Sequence, residues 1–494
     1  MTTPDIVYFG DSLSDDGNLY AATDGVLPNF IRSALGGDTN SASDGIVHSE
    51  YTADLTGLSV ENYAIGAAKA QGEYLLGDVL DDFGLNSFVT VPDDDPSLDF
   101  DINLSAQIDR FEADYSGQDL SNTTAVLLIG ANGFGAIDTI SPTVITEAIA
   151  TLTGTVISTL TAAFDLVQAG VGTVYISTLP STSFFPAFYD GDPLEALIGD
   201  QVFDAHNDLI ASAVEDLNQL GANVEVLDTQ AIAYAITEDP SGFGLIAPYT
   251  DTQLESDVLN DFDADQIAFW DDVHPTTATH GVFGAHNAHV LKGGEVHAMT
   301  DAGTRLTLAG AQDDLALAYG GNDILETGDG DDIVFGGSGS DSIRGEADDD
   351  LLSGGSDDDL VFGGSGADVL DGDEGDDLLR GNMGSDVLID GLGNDTVRGG
   401  SGDDTFIYTQ ASLIGGTDGD DTDQFFGGLG IDTLYLVLDT AMAALADSDL
   451  SLALSQLGLT TTNIENVEIL ETRDALSDLS GEDWYTDADV WGLI

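Results

Sequence analysis

The chain has 494 residues, 42% of them hydrophobic, which is more apolar material than one ordinary core holds, so two or three domains are expected. Against 91 Asp and Glu stand only 9 Lys and Arg, a formal net charge of -82, which repels phosphate backbones and anionic bilayers and excludes nucleic-acid binding and polybasic lipid anchoring. Cysteine is absent, which excludes disulfides, thiolate metal sites and thiol nucleophiles; the acidic excess asks for cations, either bound calcium or the counter-ions of a saline habitat.

In chain order, Met1-Thr-Thr-Pro-Asp-Ile carries neither a basic region nor an apolar signal core, so export by a cleaved signal peptide is not expected. Up to residue 292, short β-branched runs alternate with helical stretches. Strands are predicted at Asp5 to Phe9, Ser59 to Ile65, Ala125 to Ile129, Thr173 to Thr178 and Asn223 to Leu227, which implies a five-stranded parallel sheet with helices on both faces. The first strand runs into Gly10-Asp11-Ser12-Leu13. Two readings are open there: a hydroxyl presented on the first turn past the sheet, where α/β hydrolytic enzymes mount nucleophiles, or an N-cap opening the next helix.

Gln71 to Leu104 is rich in Asp and Gly and is expected as a long surface excursion. Thr143 to Phe164 has a single acid, Glu147, and reaches membrane-spanning length. Its apolar residues Ile145, Ile149, Leu152, Val156, Leu160 and Phe164 fall at helical spacing among threonines, without basic flanks, so a buried amphipathic helix is predicted and no transmembrane segment. Beyond the fourth strand, Ser183-Phe-Phe-Pro-Ala-Phe188-Tyr189 reads either as a wall of an acyl pocket or as rings covering the core.

Four signals stand at strand ends or in late loops: Ser12, Asn62-Tyr-Ala-Ile-Gly66-Ala67, Gly130-Ala-Asn132-Gly, and Asp271-Asp-Val-His274. With them the first 290 or so residues resemble the GDSL family of SGNH hydrolases, whose blocks carry a nucleophilic Ser, an oxyanion-hole Gly, an oxyanion-hole Asn and an Asp-x-x-His pair. The resemblance implies an α/β hydrolase domain over 1–292 with Ser12 as nucleophile, His274 as the base and Asp271 as the acid that orients it; Asp272 falls outside the motif. The oxyanion donors would be the Ser12 backbone N–H, a backbone N–H at Gly66 or Ala67, and the Asn132 amide. Relatives often have Gly-Gly where this chain has Gly66-Ala67, which leaves open which of the two donates. The chemistry itself requires no cofactor. The other histidines are at 48, 206, 280, 286, 289 and 297; those at 280, 286 and 289 fall on a predicted helix, with surface or packing roles, and no metalloprotease motif supports zinc there.

Residues 293–308 are expected as a linker. From Ala309 the next 99 residues divide into eleven units of nine, with aspartate at the sixth position of each and an apolar residue at the eighth of most. The pattern, clean in Gly336-Gly-Ser-Gly-Ser-Asp341-Ser-Ile-Arg344, is similar to the nonapeptide of RTX calcium-binding proteins. The resemblance implies a parallel β-roll over 309–407, two units per coil, with several structural calcium ions held by Asp332, Asp341, Asp350, Asp359, Asp368, Asp377, Asp386, Asp395 and Asp404, and by Asp432 in one resumed unit. Without calcium, a disordered acidic tract is the alternative. The first two units lack the opening glycines, so weaker or absent ions are expected there. Residues 408–494 would hold the last repeat, a β-rich cap around Asn463 to Leu470, and either an uncleaved type I secretion signal or plain capping structure at 481–494.

Together these imply a secreted bacterial carboxylester hydrolase that takes an ester or lipid substrate, engages type I secretion machinery, and folds as extracellular calcium neutralises its repeats. A phospholipase or acyltransferase with the same triad is the first alternative, and a non-catalytic calcium-binding matrix or adhesive exoprotein the second.

Overall fold

A computed structural model describes residues 3–10, 47–64, 103–129, 142–185, 193–238, 240–243, 245, 268–269, 276–299, 302–410, 413 and 422–470. The chain forms two units, Met1–Ala233 with Ala247–Ala288, and Tyr234–Ile246 with His289–Ile494.

In the first unit, β1 (Ile6–Gly10), β2 (Val60–Asn62), β3 (Thr124–Leu128), β4 (Thr173–Ser177) and β5 (Val224–Leu227) form, among the described residues, a parallel sheet of order β2-β1-β3-β4-β5. The interior strand β1 reads as a continuous apolar run because both its faces are covered: Ile6 to Phe9 are at most 1% exposed. Helices α1 (His48–Thr56), α2 (Leu104–Asp114), α3 (Pro142–Ala169), α4 (Pro193–Gln219), α5 (Thr229–Glu238) and α6 (Thr277–Lys292) accompany the strands. The strand order reverses between β1 and β3, the point at which open α/β sheets leave a crevice for a ligand.

The stripe predicted along 145–164 holds at Leu152 and Val156, which are buried, but Phe164 is 47% exposed. Two successive steps of four advance about 80° beyond whole turns, so the buried face passes instead to Ala163 and Leu166. Among the described residues no helix is long and apolar enough to cross a membrane.

In the second unit, from Asp314 to Thr409, each strand pairs in parallel with the strand eighteen residues away, as in Ile333↔Leu351, Ser342↔Leu360 and Val369↔Val387. Alternate units therefore build opposite sheets, of nine and eight strands among the described residues. The eighth-position side chains Val334, Ile343, Leu352, Val361, Leu370, Leu379, Leu388, Val397 and Phe406 all point inward, at 0% exposure, and form one continuous core. On the outer face the ninth positions pair arginine with aromatic rings, Arg344 and Arg380 over Phe362 and Arg398 over Phe426. The turns need glycine where coils approach: at Gly384, φ +142°, a methyl group would overlap the Gly366 carbonyl oxygen of the preceding coil.

The stretch 293–308, expected as a linker, instead supplies β6 (Glu295–Ala298) and β7 (Arg305–Thr307), which pair with Asp314–Leu317 and Ile324–Asp329. They extend each sheet by one strand without any Gly-Asp signature, which is why the nonapeptide count cannot find them. At the other end, the cap holds α7 (Thr440–Ser448) and α8 (Leu450–Gln456), N-capped by Asp439 and Asp449, besides strands Thr460–Thr462 and Asn466–Leu470 that prolong the two sheets. Ala443, Ala446, Ala453 and Leu457 from this helical pair join the roll's own core, so the cap is mixed rather than β-rich.

Candidate functional site

Ser12, Gly66, Ala67, Asn132, Asp271 and His274 lie outside the described residues, as do Phe188, Tyr189 and 481–494. The frame from which the first six issue is described. Gly10, two residues before Ser12, pairs in register with Leu128, four residues before Asn132, while Tyr8 faces Asn62, four residues before Gly66. Three of the candidate loops thus leave neighbouring strands at one sheet edge, and two of them flank the reversal between β1 and β3.

Each departure is anchored. The Gly10 N–H donates to Gln107 Oε1 at 2.9 Å and Gln107 Nε2 donates back to the Gly10 carbonyl at 2.8 Å, so a buried amide from α2 takes both backbone groups of the residue that ends β1. The Asn62 side chain accepts from the Ala64 N–H at 2.9 Å, turning the chain after β2. The ends of the segment carrying Asp271 and His274 are tied together, because the Ala268 carbonyl accepts from the Thr276 N–H at 3.0 Å and from Thr279 Oγ1 at 2.8 Å. Replacing Gln107 with Leu leaves two buried backbone groups of Gly10 unsatisfied, at about 1–3 kcal/mol each. We expect a lower urea midpoint; an unchanged midpoint would remove Gln107 from any role in holding the end of β1.

Phe184 and Phe185 are buried and form an aromatic cluster with Phe269 and Phe283. With His48, His280 and Leu128, the rings of Phe184, Phe185 and Phe283 line a small pocket beside the carboxyl end of β3. Phe184 and Phe185 thus cover the core and also line this pocket. His280, His286 and His289 are buried on α6 and pack: His280 stacks on His48 at 5.8 Å, and His289 Nε2 lies 3.1 Å from the Glu295 carbonyl oxygen.

The second site is the aspartate ladder. From Asp332 onward, one carboxylate oxygen of each sixth-position aspartate accepts the backbone N–H of the aspartate one coil earlier, as from Asp341 to Asp359 at 2.6 Å, Asp350 to Asp368 at 3.0 Å and Asp386 to Asp404 at 3.1 Å. The other oxygen, Oδ2, is buried without a hydrogen-bond partner in Asp332, Asp341, Asp350, Asp359, Asp368, Asp377, Asp386, Asp395, Asp404 and Asp432, and in Asp323. A buried carboxylate oxygen with no donor requires a cation or a proton, and a row of hard oxygens facing the coil turns fits calcium. The Asp314 carboxylate differs, lying 3.1 Å from His297 Nε2. At the far end Glu465 takes the aspartate's place, accepting the Asp432 N–H at 2.9 Å.

Two acidic positions escaped the sequence reading. Asp423 stands nine residues before Asp432 with Phe425 at the eighth position, so a degenerate unit spans 418–426, and its Oδ1 accepts from the Asp395 N–H at 2.9 Å across 28 residues. Asp390 replaces the first-position glycine of its unit, a change with no contrast in so acidic a chain.

Burial, reinforced by neighbouring carboxylates, pushes Asp341 and Asp377 up to about 8 and Asp350, Asp359 and Asp395 up to about 9. Since these folded-state values exceed the unfolded one of 3.8, the ion-free roll binds more protons than the unfolded chain, and its stability falls as pH rises from about 4 to about 9. In chelator, the β-sheet circular dichroism and thermal midpoint of the roll should therefore be highest near pH 4, and calcium uptake should release protons. A midpoint that rises with pH in chelator would contradict this.

Residues 6–286 match the GDSL-like Lipase/Acylhydrolase family, and residues 308–343, 344–379 and 380–408 match the RTX calcium-binding nonapeptide repeat. The chain is 26% identical over 292 residues to the thermolabile hemolysin of Vibrio parahaemolyticus, an alignment that covers 56% of this chain and 60% of that relative.

Proposed function

The chain belongs to the GDSL-like lipase/acylhydrolase family and carries RTX calcium-binding repeats after that domain, and from this premise we propose that it is a secreted carboxylester hydrolase with Ser12, His274 and Asp271 as its triad. The observation that carries the proposal is the reversal of strand order between β1 and β3, with the loops of Ser12 and Asn132 leaving those two strands.

In this reading Ser12 Oγ attacks the ester carbonyl carbon while the neutral His274 ring takes its proton, and Asp271 holds the ring's tautomer and balances the imidazolium. The oxyanion that forms accepts from the Ser12 N–H, a Gly66 or Ala67 N–H and the Asn132 amide. Collapse breaks the C–O bond, the imidazolium protonates the departing alkoxide, and water repeats the sequence to free the acid and Ser12. Calcium stands outside these steps. Bound along the aspartate ladder, it supplies the charge that lets the roll fold, after type I export from a calcium-poor cytosol; the route is checked by whether the chain reaches the medium only when an exporter is present.

A phospholipase reading with the same triad is favoured by one observation, the similarity to a protein named as a hemolysin. A panel of nitrophenyl esters and phosphatidylcholine, run against a Ser12→Ala blank with and without calcium, separates the two readings. Hydrolysis that persists in the blank would sink both and leave a calcium-binding exoprotein.

A further inference from the structure

Asp390 sits where the other clean units place glycine, and the geometry of those glycines shows where its side chain is aimed. A Cβ built at Gly363, Gly381 or Gly399 would run into Oδ2 of the sixth-position aspartate of its own unit, Asp368, Asp386 or Asp404. The first-position side chain therefore points at the oxygen that faces the ion. At Asp390 the side chain is present, 1% exposed, and neither of its oxygens has a hydrogen-bond partner. Carboxylate oxygens of Asp390, Asp395 and Asp423, all buried, lie within 4.8 Å of one another. Two oxygens across one calcium ion are separated by at most about 4.8 Å, twice the usual metal–oxygen distance.

We propose that Asp390, Asp395 and Asp423 form a three-carboxylate calcium site, distinct from the repeating two-aspartate sites, that staples the roll across its interruption. Before the interruption, ladder aspartates one coil apart are separated by 18 residues; between Asp395 and Asp423, as between Asp404 and Asp432, the separation is 28, so ten extra residues enter here. An ion gripped by Asp390 and Asp395 on one side of the insertion and Asp423 on the other closes that longer loop. The extra carboxylate makes this the tightest ion of the array, since affinity among oxygen sites follows ligand charge count.

The inference rests on calcium as the cation of the repeats, and the test separates the two. Calcium-loaded full-length protein is mixed with excess chelator in a stopped-flow instrument, and ion release is followed by a chromophoric chelator. Wild type should show one ion released at least tenfold more slowly than the rest. Asp390→Gly, which restores the repeat's own residue and so the turn, should lose that slow phase and keep the others; Asp390→Asn, of the same shape without the charge, should lose it too. An unchanged slow phase in either variant, or one ion more in Asp390→Gly than in wild type, would overturn the site, the second result meaning that Asp390 fills the ion's place. Wild type that binds no calcium would overturn the calcium reading of the whole array along with it.

Discussion

Chelation of calcium should unfold the roll from residue 295 to 470 outright rather than loosen it. Ten of the expected ligand aspartates each hold a buried oxygen with no donor, and burial alone already drives several of these carboxyls far above their ordinary range. One site at a calcium concentration 100-fold above its Kd adds about 2.7 kcal/mol to the folded state, so three such sites supply ~8 kcal/mol, as much as the whole stability of an ordinary domain. Few basic residues are available to replace the ion, since the entire chain has 9 Lys and Arg against 91 acids. The expected result at neutral pH is loss of the β-sheet circular dichroism in chelator, cleavage throughout 309–470 on limited proteolysis, and recovery of both on adding millimolar calcium. Magnesium should restore little, because it demands shorter, near-octahedral coordination that a row of stacked turns does not offer. Full-length protein whose dichroism and cleavage pattern are the same with and without chelator would remove calcium from the folding reaction.

The parts of this fold that were legible in the sequence are those whose physics repeats. Strands buried on both faces read as unbroken apolar runs, which is why Ile6–Gly10 and Thr124–Leu128 sit within a residue or so of the predicted spans. The nonapeptide phase is legible because one aspartate and one inward side chain recur every nine residues, and it fails wherever the recurrence does. The strands Glu295–Ala298 and Arg305–Thr307 have no such signature, and the unit of Asp423 follows ten extra residues that break the count. Asp390 shows a subtler limit: an acid in a glycine's place is visible as a departure, but only the direction of the neighbouring glycines' missing Cβ atoms reveals that it faces the ladder. In the hydrolase unit the candidate residues were legible as motifs, whereas Gln107, a lone polar residue on an amphipathic helix, carries no motif and is found only by its paired bonds to Gly10.

Replacing Ser12 with Ala should lower ester hydrolysis by on the order of 10^4 to 10^6-fold while leaving stability within a few tenths of a kcal/mol. The activity loss follows from the proposed chemistry: without Oγ no acyl-enzyme forms, and the remaining donors can only assist direct attack by water. The stability expectation follows from the structure of the strand before it, because Gly10 is held by the Gln107 amide and is paired with Leu128 of β3. His274→Ala should match Ser12→Ala within about tenfold, and the double variant should be no worse than either single one, since the two groups act as one unit. Asp271→Asn should retain more, near a 10^4-fold loss, because the ring keeps its place but loses its tautomer. Asp272→Asn provides the contrast within the same loop and should leave the rate within a factor of three, a small multiple expected for a residue outside the proton path. Equal losses at Asp271 and Asp272 would remove the orienting role from Asp271, and a Ser12→Ala protein that still releases nitrophenol in a single-turnover burst would show that Ser12 is not the nucleophile.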